Sequence, residues 1–385
     1  MSKEEDDLEL VAPRQALEEF SDSVASLWCP AVVPIIEQDL SSLEFCRDFV
    51  SKSRPCILRN TIMGGAKLPR WTVEDIQQLC GDDLEITVNV TPDGHGDAIR
   101  TISTVEDCCN NKEDPTFVLP EERRMSMSDF VTALRSTPVD HATTAEVDSN
   151  GLPILQAMTE DGASKLSIID NPNSVYYYSM QNDCLRSEFA ALLPELSSSA
   201  SPLLEWAEAS FGTGPPDALN IWMGNERAHS SLHKDHYENL FYVASGRKLF
   251  TIYPPADAAI LPVISLPTSR FECTDGTTTT TWCVVPADDD DDGAAARTPW
   301  IDFSKAATAV APLQYLHPIS VHVEAGDILY LPSLWFHAVT QTCETVGINW
   351  WFDMHFDSPL YCYFQLLESC KLVQRAAAAI EEEDE

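Results

Sequence analysis

From residue 218 onward the chain is a succession of short apolar runs, each four to seven residues long, separated by turn signals. Residues 220–223, 239–243, 248–253, 320–323, 328–331, 338–342 and 346–352 read as strands, and Ser245-Gly246 and Ala325-Gly326-Asp327 supply tight turns. Strands this short cannot bury a face alone. They must pair into sheets that stack on one another, which is the pattern of a β-sandwich or jelly roll.

Upstream the pattern is mixed. Helices are expected over residues 42–52, 72–80 (capped by Thr72 ahead of Glu74 and Asp75), 125–135 (capped by Ser126 or Ser128) and 186–193, with strands at 54–60, 84–90 and 176–178. Residues 136–169 show no sustained period and read as an inserted mobile loop, and 271–298, with the run Asp288–Asp292, read as an acidic loop. This divides the chain into an acidic extension (1–32), an N-terminal α/β part (33–217), the jelly roll (218–357) and a C-terminal helix with an acidic tail (358–385). That last helix places Leu360, Tyr363, Phe364 and Leu367 on one face, suited equally to core packing or to a homodimer contact.

Sixty-one acidic residues against 24 basic ones give a net charge of −37. A surface of that sign argues against direct nucleic-acid binding, which needs cations to displace phosphate counterions, and favours Lys- or Arg-rich partners. No run approaches the length of apolar sequence a membrane helix needs, and the acidic N-terminus is neither a secretory signal nor an Arg-rich transit peptide. Twelve cysteines without a Cys-x-x-Cys pair fit reduced thiols, so a cytoplasmic and also nuclear location is expected.

Chemistry enters with His233, Asp235 and His337. An imidazole and a carboxylate two residues apart on an extended segment, joined by a distant imidazole, can hold one face of a divalent metal and leave other positions open, as in non-haem Fe(II) oxygenases. The spacing alone is weak, because a chain this acidic should show roughly one or two His-x-Asp/Glu matches by chance, and it has five: His95/Asp97, His233/Asp235, His236/Glu238, His322/Glu324 and His355/Asp357. Context chooses among them. His95/Asp97 sits in a Gly-flanked turn, and His236/Glu238 is offset by three residues from the favoured pair, on the opposite strand face. The pairs at His322 and His355 have no second imidazole arriving on a neighbouring apolar strand. His233/Asp235 precedes a hairpin, and His337 follows an apolar strand with a proline break that would deliver it to a barrel rim. Lys248 lies in an otherwise apolar strand, where its ammonium either snorkels at an edge or meets a buried anion such as a dicarboxylate.

Several stretches in order resemble the JmjC family of Fe(II)- and 2-oxoglutarate-dependent oxygenases: Arg54-Pro55-Cys56, Val90-Thr91-Pro92-Asp93-Gly94, Pro120-Glu121-Glu122-Arg123-Arg124, Ser231–Leu240 and Tyr330–His337. The resemblance runs from Val33 to about Lys371 and is strongest to the small lysyl-hydroxylase branch. It implies a mainly β fold with flanking helices (α+β), a double-stranded β-helix or cupin-like jelly roll. It also implies Fe(II) on His233, Asp235 and His337, with 2-oxoglutarate and O2 as cosubstrates. By the same resemblance Lys248, Tyr177 and Ser230 hold the far carboxylate of 2-oxoglutarate, with Ser230 standing where the family often has threonine. Asn239 and Asn349 lie near its metal-bound end, and Trp351 forms an aromatic wall.

The activity so implied is hydroxylation of a lysyl side chain in a protein substrate, a translation-associated GTPase of the developmentally regulated type, with succinate and CO2 released. Histone-tail peptidase action and N-methyl-lysine demethylation are the enzymatic alternatives, and an inactive cupin-fold binding protein is the non-enzymatic one. The Thr91–His95 segment is either an ordinary turn or a loop carrying Asp93 or Asp97 to a substrate ammonium, and the sequence leaves both open.

Overall fold

The computed structural model describes residues 15–59, 66–103, 114–136, 155–158, 165–168, 174–275, 280–287, 296–303 and 312–369. Its centre is a pair of stacked sheets, each containing four strands of a jelly roll. The larger sheet runs in the order Ile328–Leu331, Tyr237–Ser245, Thr345–Asp353, Ala218–Gly224, and the smaller in the order Ile319–Glu324, Arg247–Tyr253, Phe336–Gln341, His229–Lys234. Consecutive strands of the eight alternate between the two sheets, except that Arg247–Tyr253 and Ile319–Glu324 lie side by side in the smaller one, the arrangement of a double-stranded β-helix.

Burial follows position. Thr345–Asp353, central and covered on both faces, is buried at every residue but the last, whereas the edge strand Ile319–Glu324 buries Ile319, Val321 and Val323 and exposes Ser320 and His322. The N-terminal part adds to both sheets. Ile35–Ile36 and Cys56–Leu58 extend the larger one, and His95–Gly96 pairs in parallel with His229 and Ser230 at the edge of the smaller. Covering edges in this way removes unpaired backbone donors and acceptors. Beneath the larger sheet, Phe45 packs between Trp206, Phe211 and Tyr330 with ring centroids 4.5, 6.1 and 5.0 Å away.

The helices at 42–52, 72–80 and 125–135 appear as Ser42–Asp48 with a following 3-10 turn, Val73–Cys80 and Met127–Leu134. Thr72 and Asp75 form a reciprocal capping box and Ser126 caps the third helix, so two otherwise orphaned N-termini are satisfied locally. The expected helix at 186–193 is corrected. Residues there form a turn and the 3-10 segment Ala190–Leu192, and the long helix is Leu193–Phe211. Its serines and Pro202 weaken the local signal. The buried stripe Leu196, Ala200, Leu203, Ala207 and Phe211 holds it in place by packing.

Both expected loops also need correction. Residues 155–158 and 165–168 of the first are strands, and in the second Val263–Asp275 pairs with Thr280–Pro286, with Arg297–Ile301 returning beside it; most of what remains of both loops lies outside the described residues. They belong to a seven-stranded sheet in which local antiparallel pairs are joined by long-range ones, and β-branched threonines favour extended backbone. The aspartate run at 288–292, the expected N-terminal lead-in up to residue 14 and the acidic tail lie outside the described residues. The C-terminal helix is described over Pro359–Ser369 and packs Phe364 against Phe336 of the jelly roll. No disulfide joins the described cysteines, and no described helix is long and apolar enough to cross a membrane.

Candidate metal centre

His233 and His337 are cross-strand neighbours. His229–Lys234 runs antiparallel to Phe336–Gln341 in a register that sets one imidazole opposite the other, with ring centroids 4.3 Å apart. Directly opposed residues are the closest side-chain pairs a sheet offers. Asp235 follows in the turn to the next strand, and its carbonyl accepts a hydrogen bond from the Leu334 N–H at 2.9 Å. The turn after His233 is thereby tied to the turn before His337. Leu334 takes a left-handed φ of 67°, a backbone state rare for a branched residue and held here by full burial. The ligand atoms of the three residues lie within 4.8 Å of one another, and among the described residues they are the one such cluster of His, Cys, Asp and Glu.

Both rings are pinned through Nδ1, to the Ser231 carbonyl at 2.8 Å and the Trp335 carbonyl at 3.1 Å. With Nδ1 as donor, each Nε2 keeps its lone pair for a metal. Burial, helped by the neighbouring His233, pushes the His337 imidazole down to about 4. It is neutral at physiological pH, as a ligand must be.

The rival pairs have other roles. His322 faces outward on its edge strand. Glu238 is half-buried and accepts from Tyr330 Oη at 2.6 Å and Ser333 Oγ at 2.8 Å, desolvation pushing its carboxyl up. The His355 Nε2 bonds the Phe211 carbonyl at 3.0 Å, and the Asp357 side chain is 93% exposed.

A cavity of about 450 Å³ opens over the triad, and Tyr177, Ser230, Asn239, Lys248, Asn349 and Trp351 all line it. The structure therefore brings every expected site residue to one chamber. Lys248 is 1% exposed, and its Nζ lies 3.1 Å from Tyr177 Oη and 5.3 and 5.5 Å from the ring centroids of Tyr177 and Phe241. Among the described residues no carboxylate pairs with it. Burial without an anion pushes its ammonium down to about 7. Tyr177, raised by burial against the pull of its hydrogen bond to Ser230, stays protonated. Asn349 accepts from Trp222 Nε1 at 2.9 Å and donates to Asn239 Oδ1 at 3.3 Å, while Trp351 stacks on Tyr237 at 5.0 Å.

Sequence reasoning missed Trp300 and Trp222. The Trp300 ring lies parallel to His233 at 6.2 Å and its Nε1 donates to Ser231 Oγ at 3.2 Å. It lies beside the segment read as an acidic loop, and nothing local marks it. Asp93 and Asp97 now separate. Burial works against the Asp93 charge, but Arg100, 2.6 Å from both carboxylate oxygens, holds its carboxyl well below the usual range. Asp97 lines the cavity, and burial raises its carboxyl against the charge of His233.

Two imidazoles and one carboxylate on one side of a cavity, with an unpaired buried ammonium on another, fit a divalent metal together with a dicarboxylate. A double-stranded β-helix carrying such a site defines a cupin-type oxygenase scaffold. Residues 41–358 match the family described as a cupin-like domain, and the chain belongs to the cupin-like JmjC family of oxygenases. It is 33% identical over 365 residues, covering 94% of this chain and 96% of the relative, to the bifunctional peptidase and (3S)-lysyl hydroxylase JMJD7 of Homo sapiens. It is 28% identical to JmjC domain-containing protein E of Dictyostelium discoideum over 93% of this chain and 96% of that protein. Identity to the lysine-specific demethylase JMJ32 of Arabidopsis thaliana is 29%, over 86% and 84% respectively.

Proposed function

We propose that this chain is an Fe(II)- and 2-oxoglutarate-dependent dioxygenase that hydroxylates a lysyl side chain of a protein substrate. The observation that carries the reading is Lys248, a buried ammonium without an anionic partner among the described residues, facing the same chamber as His233, Asp235 and His337. In this reading the triad holds the metal. Lys248, Tyr177 and Ser230 hold the far carboxylate, Asn239 and Asn349 offer amides to the other end, and Trp351 shields it from water. Fe(II), 2-oxoglutarate and O2 would supply the oxidation of the C–H bond, with succinate and CO2 as coproducts.

Lysine as the target is supported by the acidic surface and by the name of the human relative. The partner we propose is a translation-associated GTPase met in the cytoplasm or nucleus, and the C-terminal helix is the proposed homodimer contact. The name of the plant relative favours a second reading, N-methyl-lysine demethylation, in which the same site oxidises a methyl group.

Anaerobic loading with Fe(II) and 2-oxoglutarate, followed by O2 and lysine-bearing GTPase peptides, separates the readings by mass spectrometry, with His233→Ala as the blank. One added oxygen on lysine, matched by succinate and absent from the blank, is the expected result. Methyl loss with formaldehyde would favour demethylation, and shortened peptides a peptidase. Absence of succinate in every mixture would overturn the oxygenase.

A further inference from the structure

Asp97 occupies a junction. It lines the metal cavity, and it also lines a second cavity of about 700 Å³ that shares Asn89, Leu119, Pro120, Ser179 and Gln181 with the first. A side chain reaching the metal from this outer trough passes Asp97.

The residue is held rigidly there. His95 and Gly96 pair with His229 and Ser230, the Ser231 hydroxyl donates to the Asp97 carbonyl, and Asp97 itself adopts a φ of 51°. Trp300 Nε1 donates to that same Ser231 hydroxyl, so ring, hydroxyl and aspartate form one frame around His233. The frame fixes the backbone and leaves the carboxylate free, because among the described residues no side chain donates to it. Three other acids nearby are engaged, Asp93 with Arg100, Glu121 with Arg123 at 2.7 Å and Glu272 with Arg270 at 3.3 Å, while Glu122 of the trough is exposed to solvent and does not line the metal cavity. A partly buried carboxylate with no protein donor or cation beside it gains from a cation that arrives from outside.

We propose that the Asp97 carboxylate determines specificity by pairing with a cationic side chain, a lysyl ammonium, as it enters the metal chamber from the trough. The destination of that lysine rests on the oxygenase reading, but the contact itself is read by binding alone.

The test uses the full chain and two labelled peptide libraries that differ only at the central position, lysine in one and its uncharged isostere norleucine in the other. Fluorescence anisotropy should show the wild type binding the lysine library at least about tenfold more tightly, the scale of a partly desolvated charge pair. Asp97→Asn, which keeps the shape and removes the charge, should bring that ratio to about one. Should this variant not fold, a third library with acetyl-lysine at the centre reads the same contact in the wild type, where it should also bind poorly. A wild-type ratio near one, or a ratio that survives Asp97→Asn, would overturn the proposal. Either outcome is independent of succinate formation, which judges the oxygenase reading.

Discussion

Replacing Lys248 with methionine tests the cosubstrate pocket from two directions. The amine is 1% exposed, and burial lowers it from 10.5 to about 7. An unfolded chain keeps this proton into the ordinary lysine range, whereas the folded chain releases it near 7. Between those values the unfolded state carries more protons, so stability rises with pH. The shift corresponds to a folding penalty of about 4 kcal/mol at neutral pH that vanishes once both states are deprotonated. Lys248→Met removes the penalty and sacrifices the Tyr177 hydrogen bond, worth about 1 kcal/mol. The variant should therefore be more stable than wild type by roughly 2–3 kcal/mol at neutral pH, and the difference should close as pH approaches the lysine range.

The functional effect has the opposite sign. A dicarboxylate restores the proton, so wild type should take up about 0.9 proton per 2-oxoglutarate bound near pH 8. The variant should lose affinity by about 2–5 kcal/mol, the cost of deleting one partner of a buried pair. Urea unfolding across pH gives the first result. Titration calorimetry in two buffers of different ionisation enthalpy gives the second. A variant less stable than wild type at neutral pH, or binding without proton uptake, would refute the account of Lys248.

His337→Ala removes one of three donors, so Mn(II) affinity measured by calorimetry should fall at least about tenfold while far-UV circular dichroism is retained; unchanged affinity would place the metal elsewhere. Phe45→Ala empties the aromatic cluster beneath the larger sheet and should cost about 3–5 kcal/mol by urea unfolding, with a cost below 1 showing that the cluster repacks. The His317 imidazole joins Asp257 at 2.7 Å to the Ser21 carbonyl at 3.1 Å, and although burial opposes its charge, the hydrogen bond and charge of Asp257 raise its pKa. That stability is full below the unfolded value and is lost as pH rises through the folded one. His317→Ala, leaving the buried Asp257 with only the backbone N–H of residue 317 and no cationic partner, should cost about 3 kcal/mol and speed amide exchange over residues 15–28; exchange unchanged there would show that Ser21 is held by other contacts.

Much of the jelly roll was legible because its strands are short, apolar and bounded by turns. Local periodicity records which face is buried, and the alternation at Ile319–Glu324 survives intact in the fold. The triad was legible for a different reason. His233 and Asp235 are close in sequence, and His337 follows a strand whose composition suits a sheet. Their meeting depends on an antiparallel register that the chain reaches only when the two strands pair.

What local pattern could not reveal depends on contacts made across the chain. Leu193–Phe211 is a helix despite Pro202 because one of its faces is buried, and Val263–Asp275 and Thr280–Pro286 are strands because partner strands lie beside them. Trp300 reaches His233 from a different sheet, and the Asp93 and Asp97 carboxylates, equivalent as text, differ because Arg100 meets only the first. Sequence by itself determined the strand pattern, the ligand types and the charge. Tertiary structure alone decided which charges are neutralised and which remain available, because pairing and desolvation are properties of atoms brought together by folding, whatever their distance along the chain.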